Sequence, residues 1–420
     1  MPETSPTPAP APAPASAAAI TPRPPIARVM LFGALTAIGP LTIDMYLAAF
    51  PAVSADLDVS SAMVQLTLTA TLAGLALGQL FLGSISDAYG RRRPLIAALV
   101  LYVLASLVVA VTSSFALLFA MRFVQGFTAA AGMVLSMAMA RDLYTGSVLA
   151  RLLSRLMLVS GVAPVLAPTI GAGFLALGTW RSMFFALGGF GLALAVLALV
   201  RVKETLPESR RAQAGVMPAL RSYGVLLRSA RYLGIVLTGS VAMGALFTYV
   251  SAATFVYQDL YGFSVQTYAI LFAVGAVMIT GGSQLNASLV GRFHPANILR
   301  TAMAGGAFFG AVLIILAASD ASKWAFIGML MPALICMGMV MPNTPTLALY
   351  DHPDRAGSAA AFLGAMQFLA GALLAPVTGL FPQDSAVPMA AMMFACFAAG
   401  SLVFALIAKP RALVRSMPWH

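Results

Sequence analysis

Long apolar runs alternate with short polar connections along almost the whole chain. They fall at about 28–50, 62–86, 94–112, 115–140, 152–178 and 181–201, and again at about 233–257, 265–290, 297–318, 323–350, 357–381 and 387–408. Each run is long enough to cross a hydrocarbon core of ~30 Å at ~1.5 Å per helical residue, the longer ones with tilt. The pattern predicts twelve membrane-spanning helices. The longest polar stretch, Arg201 to Arg231, divides six spans from six and carries Pro207 and Pro218 as helix breakers. Equal halves suggest duplicated six-helix bundles related by an axis along the membrane normal. The expected organisation is a tail over 1–27, a bundle over 28–201, a linker over 202–232, a second bundle over 233–408 and a tail over 409–420. The Pro/Ala run that begins at Pro8 is too proline-rich for a helix or a signal-peptide core, so the first tail is expected to be disordered.

Composition agrees with that reading. Of 420 residues, 60% are apolar and 9% charged, whereas soluble domains hold about 45–50% and about 25%. The fold class expected is an all-α integral membrane protein, which excludes an ordinary water-soluble enzyme. Cys336 and Cys396 lie inside apolar runs, so neither a disulfide framework nor a cysteine metal site is implied. His294, His352 and His420 fall in predicted loops or at the C-terminus without metal-ligand spacing, and no metal is expected. No HExxH, Walker A, GxSxG or GxGxxG pattern occurs, which leaves an intramembrane enzyme without support and implies no nucleotide cofactor.

Charge placement fixes a topology. All but three of the 24 Lys and Arg fall on the N-terminal tail, the even-numbered connections or the C-terminal tail; the exceptions are Arg122, Arg181 and Lys323. Asp56, Asp58, Asp259, Asp320 and Asp384 fall on the opposite side. This positive-inside asymmetry puts both termini in the cytosol. The net charge of +11 is then topological rather than a nucleic-acid footprint.

Several motifs carry a resemblance. After span two the chain reads Gly83-Ser-Ile-Ser-Asp87-Ala-Tyr-Gly90-Arg91-Arg92-Arg93-Pro94, similar to motif A (G-x-x-x-D-x-x-G-R-[KR]) of the major facilitator superfamily. Gly83 and Gly90 permit close helix contact and a tight turn, and Asp87 can pair with the arginines or cap a facing helix. After span eight Gly291-Arg292 survives, but Ser288 stands where the Asp would be. Arg122-Phe-Val-Gln125-Gly126 in span four is similar to motif B. Gly161-Val-Ala-Pro164-Val-Leu-Ala-Pro168-Thr-Ile-Gly171 in span five resembles motif C, which the family associates with antiporters, although Ala163-Pro164 stands where a Gly-Pro pair is usual. Its small residues are expected to pack against span eight at Gly275, Gly281 and Gly282. Span one, Leu41-Thr-Ile-Asp44-Met-Tyr46-Leu-Ala-Ala-Phe50-Pro51, and Arg355-Ala-Gly357 before span eleven resemble the bicyclomycin/chloramphenicol-resistance (Bcr/CflA) branch of the twelve-span drug:proton antiporters. The resemblance covers about residues 28–408 and implies a major facilitator fold. In the family, the motif A cluster latches the cytosolic side when the transporter faces outward.

Asp44 and Arg122 are the two ionisable residues placed well inside the hydrocarbon, at roughly 2.5–3.5 kcal/mol each on insertion scales. Asp44 lies ~10 Å and Arg122 ~12 Å below the same outer surface, and the resemblance implies that spans one and four both line a central cavity. The two are expected to meet there, directly or through water, with Asp44 titrating and Arg122 tuning it. Tyr46, Gln125, Phe247, Tyr249, Tyr257, Asn343 and Gln367 are candidates for the substrate pocket, whose aromatic walls and few amides would suit an uncharged or mildly cationic drug. The resemblance implies a monomeric, proton-coupled exporter of small hydrophobic drugs in the bacterial inner membrane. Its implied partners are lipid, drug and protons, its energy source is the proton motive force, and it needs neither a cofactor nor nucleic acid. A nutrient importer of the same fold is the alternative.

Overall fold

The computed structural model describes residues 24–211, 216–319, 321–381, 384–410 and 413–414. The expectations for residues 1–23, Asp320 and His420 lie outside them. Among the described residues, twelve helices are of spanning length: Ile26–Leu47, Ser61–Tyr89, Arg92–Val111, Phe115–Leu143, Gly146–Leu177, Trp180–Arg201, Ala230–Leu260, Val265–Leu289, Pro295–Ala318, Lys323–Tyr350, Pro353–Leu380 and Val387–Ala408. They are numbered here as spans one to twelve. Serines open five of them: Ser60, Ser114, Ser229, Ser264 and Ser322 each accept a bond from a backbone amide in the first turn, as N-caps do.

The two sets of six pack by one scheme. Span two lies on four, three on six, one on five and one on four; in the second set eight lies on ten, nine on twelve, seven on eleven and seven on ten. Across the boundary, two meets eleven and five meets eight, which are the same contact under exchange of the sets. This pattern fits a duplicated bundle with a pseudo-twofold axis.

Close approach between spans two and four rests on glycine. A Cβ on Gly126 would fall on the Thr71 carbonyl, one on Gly74 on the Phe123 carbonyl, and one on Gly78 at 2.6 Å from the Phe127 carbonyl oxygen. Because backbone cannot step aside as a flexible side chain can, such contacts require small residues. Gly126→Ala is therefore expected to cut the yield of monodisperse protein in detergent severely. Gly83→Ala, whose added carbon would sit 3.6 Å from Val134, is expected to leave it unchanged.

Three boundaries differ from the sequence pattern. Span one stops at Leu47, and the chain restarts as a short helix, Phe50–Asp56, with Pro51 in its first turn. Span five begins at Gly146, six residues earlier than its apolar run, because Ser147–Arg151 continue the helix beyond the apolar layer. The described residues of the linker include helices Glu208–Arg211 and Val216–Leu226, the second with Pro218 in its first turn, where proline is tolerated.

Candidate functional site

Arg122 is wholly buried, and its partners belong to the first bundle. Its guanidinium donates to the Thr42 carbonyl at 2.9 Å and to Gln125 Oε1 at 2.9 Å. It lies 4.7 Å from the Tyr46 ring centroid and 5.5 Å from that of Phe184, a desolvated cation–π arrangement. Gln125 Nε2 donates to Ser106 Oγ at 2.7 Å, and Thr42 shares a hydrogen with the Tyr102 hydroxyl at 2.7 Å. Tyr46 is fully enclosed, edge-on to Phe50 and Phe184, with its hydroxyl 3.2 Å from Thr67 Oγ1. Together these groups tie spans one, two, three, four and six.

Asp44 does not join them, which corrects the expectation of an Asp44–Arg122 pair. Its side chain is 6% exposed and makes no hydrogen bond or ion pair among the described residues. The depths match, but the faces do not. At ~100° per residue, Thr42 and Asp44 stand ~200° apart on span one. Thr42 and Tyr46 face the first bundle, whereas Asp44 lies within electrostatic range of Tyr249 and Tyr268 in the second. Tyr249 stacks on Phe272 with centroids 5.4 Å apart and planes 13° from parallel, and Gly275 leaves room for its hydroxyl. The buried hydroxyls of Tyr249, Tyr257, Ser251 and Thr248, all on span seven, have no hydrogen-bond partner among the described residues. A carboxyl without a bonded partner can exchange a proton or meet a ligand's donor.

The other pocket candidates divide. Tyr257 sits beside Tyr268, centroids 6.3 Å apart, in a π-helical turn over Val256–Leu260. Phe247 packs on Gly371 and on Phe368 at 5.9 Å, between spans seven and eleven. Tyr46 and Gln125 are consumed by the Arg122 network. Asn343 donates to Asn286 Oδ1 at 2.5 Å and to the Met339 carbonyl at 2.8 Å, tying spans ten and eight. Gln367 is half-buried.

Motif A forms a charged knot on the arginine-rich face. Arg91 reaches Asp87 at 2.5 Å, Asp142 at 2.9 Å and Ser86 Oγ at 2.7 Å. Gly90 turns the chain at φ 85°, a conformation that favours glycine. Gly83, with space for a Cβ, makes no close helix contact. Pattern reading missed the linker's share of this knot. Glu204 accepts from the amides of Arg91 at 2.8 Å and Arg92 at 3.3 Å, and Thr205 donates to Asp142 at 2.9 Å. Glu204 thereby caps the N-terminus of span three from 112 residues away, where a negative charge is favoured. Arg92 in turn donates to the Leu199 carbonyl at 2.9 Å. A cavity of about 410 Å³ lies beside the knot, between Gln79, Asp87, Arg91, Arg141 and Asp142 of the first bundle and Asp354, Arg355, Gly357 and Ser358 of the second.

Burial alone would raise the Glu204 pKa, but the amides of Arg91, Leu206, Arg92 and Thr205 together hold it below its ordinary 4.5. A depressed carboxyl stabilises above its ordinary pKa and loses that contribution as pH falls through the depressed value. The linker segment around Glu204 is thus expected to stay docked above pH 4.5 and to loosen only in stronger acid. Glu204→Ala is expected to expose Arg211, which reaches Glu204 at 3.8 Å, to trypsin in detergent at neutral pH several times faster than wild type.

Motif C is redistributed by the packing. Span five does meet span eight, but Gly275 accommodates Tyr249, Gly282 presses on the Ile335 carbonyl of span ten, and Gly281 has nothing within 4 Å. Gly171 presses on the Met45 carbonyl of span one, while Gly161 touches nothing within 4 Å. Pro168 is buried, and Pro164 is half-buried. The expected glycine seam between spans five and eight is replaced by tight contacts of each span inside its own bundle, because the glycines point there.

The comparisons match this architecture. The family profile of the Major Facilitator Superfamily matches residues 32–376. An uncharacterised MFS-type transporter, YdgK, of Bacillus subtilis is 40% identical over 92% of this chain and 96% of its own length. A bicyclomycin resistance protein homolog of Haemophilus influenzae is 31% identical over 90% of this chain and 94% of its own. The crystal structure of a D-xylose-proton symporter superposes with a TM-score of 0.70 at 16% identity, covering 92% of this chain and 98% of that one. The chain is a multi-pass membrane transporter by fold, and it belongs to the Major Facilitator Superfamily. Its relatives accord with the Bcr/CflA branch.

Proposed function

We propose that the protein is a proton-coupled antiporter that exports small hydrophobic drugs, with phenicol- or bicyclomycin-like antibiotics among the plausible cargo, across the bacterial inner membrane. The observation that carries this is Asp44, a nearly buried carboxyl with no hydrogen bond or ion pair among the described residues, within electrostatic range of Tyr249 and Tyr268 of the opposite bundle. Intramembrane carboxyls of this kind mark proton and substrate pathways. Arg122, enclosed among its own partners, holds the first bundle rather than the proton. In this reading both termini and the arginine-rich face are cytosolic, the protein works as a monomer, and no cofactor takes part. The two bundles rock about the Asp44 site, which takes a proton from outside as drug departs. One proton in a driving force of about 150 mV supplies ~3.5 kcal/mol, enough for a gradient of about 300-fold in a neutral drug. The name of the Haemophilus influenzae relative supports drug cargo.

The test is accumulation of a small antibiotic panel in pump-deficient cells with and without the protein. Lower accumulation of at least one compound, abolished by an uncoupler, is the expected result. Uncoupler-sensitive uptake of a nutrient, with no effect on any drug, would favour the importer.

A further inference from the structure

Pro51 has no N–H, so the carbonyl four residues before it, that of Leu47, loses its helical partner. Leu47, Ala48 and Ala49 are all at most 1% exposed, and a bare carbonyl in such a place carries the full cost of desolvation. A side chain from the other bundle replaces the missing amide. Thr254 Oγ1 of span seven lies 3.2 Å from the Leu47 carbonyl, and Gln258 Nε2 lies 3.4 Å from that of Ala48. Four residues apart, Thr254 and Gln258 share one face of the helix. Thr254 Oγ1 is also 3.1 Å from the Tyr268 hydroxyl. Thr254 Oγ1 has a single hydrogen to give and two acceptors within reach, the Leu47 carbonyl and the Tyr268 hydroxyl. Near this bond in sequence on both sides, the Phe50 and Phe255 rings meet across the boundary at 5.9 Å.

Closure on this side is general. Thr378 of span eleven donates to Gln65 Oε1 of span two at 3.3 Å, and Gly379 lies against Ala62. On the arginine-rich side the 410 Å³ cavity separates Asp87 and Asp142 from Asp354 and Arg355. There Tyr223 of the linker donates to the Leu80 carbonyl at 3.0 Å and stands 5.7 Å from Phe362 of span eleven.

We propose that Thr254 is the latch of the outer gate: it supplies the hydrogen bond that Pro51 denies Leu47, and cargo leaves only when that bond is released. Water that enters the opening gate takes over the carbonyl at little loss of hydrogen bonding, so neither state leaves it bare. A continuous helix in place of the Pro51 break would satisfy Leu47 internally and remove the latch. The inference rests on the alternating-access part of the exporter reading, and not on the cargo or the coupling ion.

The test places spin labels at Ala55→Cys and Gln266→Cys, both exposed on the outer face, in full-length protein with Cys336 and Cys396 replaced by Ala. Electron–electron distances are then measured in nanodiscs. Thr254→Val keeps the shape and removes the hydroxyl. It is expected to raise the ratio of long-distance to short-distance populations about three- to tenfold, the effect of one net hydrogen bond. Thr254→Ser is expected to restore the wild-type ratio, and in a Pro51→Ala background Thr254→Val is expected to shift nothing. Identical distributions for wild type and Thr254→Val would overturn the latch, as would Thr254→Ser behaving like Thr254→Val. Either outcome leaves the exporter reading intact if drug export persists. The expected shift in a protein that moves no drug upholds the latch and removes the cargo.

Discussion

Asp44→Asn is expected to assemble in the membrane like wild type and to lose concentrative export altogether. Asparagine keeps the size of the side chain and removes only the titrating proton. Asp44, 6% exposed, has no bonded partner among the described residues, so no network collapses with it, and stability in detergent should hold or rise, since an unpaired buried carboxyl is a cost rather than a contact. In proteoliposomes with a pH gradient, the drug ratio sustained by one proton, about 300-fold at the driving force above, should fall to about 1. Drug exchange at equal concentrations should survive, because binding and rocking do not require the gradient. Retained pH-driven accumulation would place the coupling elsewhere.

Arg122→Ala is expected to fail in the opposite way, at the level of folding. Truncation opens a cavity against Tyr46 and Phe184 and strands Gln125 Oε1, which the guanidinium holds at 2.9 Å. Large-to-small changes in cores cost about 2–5 kcal/mol before any polar group is orphaned. Thermal unfolding in detergent should therefore drop by many degrees. Arg122→Lys should rescue little, since an ammonium cannot reach the Thr42 carbonyl and Gln125 together while lying flat on a ring. A protein that is stable but uncoupled after Arg122→Lys would instead return Arg122 to the proton path.

The contrast between these two residues marks how far the sequence could be read. Twelve runs and the distribution of arginine were enough for the spans, since length and charge are properties of one helix at a time. The depths of Asp44 and Arg122 were legible for the same reason. Whether they meet depends on rotation, and the spacing of Thr42, Asp44 and Tyr46 already held the clue that Asp44 faces away. Pro51 likewise announced both the break in span one and an orphaned Leu47 carbonyl. That Thr254, 207 residues on, would answer it was not legible, because no local pattern links the two. Glu204 was hidden similarly: no local pattern in the linker ties it to span three, 112 residues away, whose N-terminus it caps. Gly161 and Gly281 belong to motifs that look like packing seams, yet helix rotation leaves both without a close neighbour.

In the proposed transport cycle drug and proton exclude one another at Asp44, and proton release on drug binding reads that exclusion. Purified protein in weakly buffered detergent is titrated with a drug identified by the accumulation panel, and the pH change is followed with an indicator dye. About one proton released per drug bound by wild type, and none by Asp44→Asn that still binds, is the predicted result. Equal release from both proteins, or binding by wild type with no release at any pH, would contradict it.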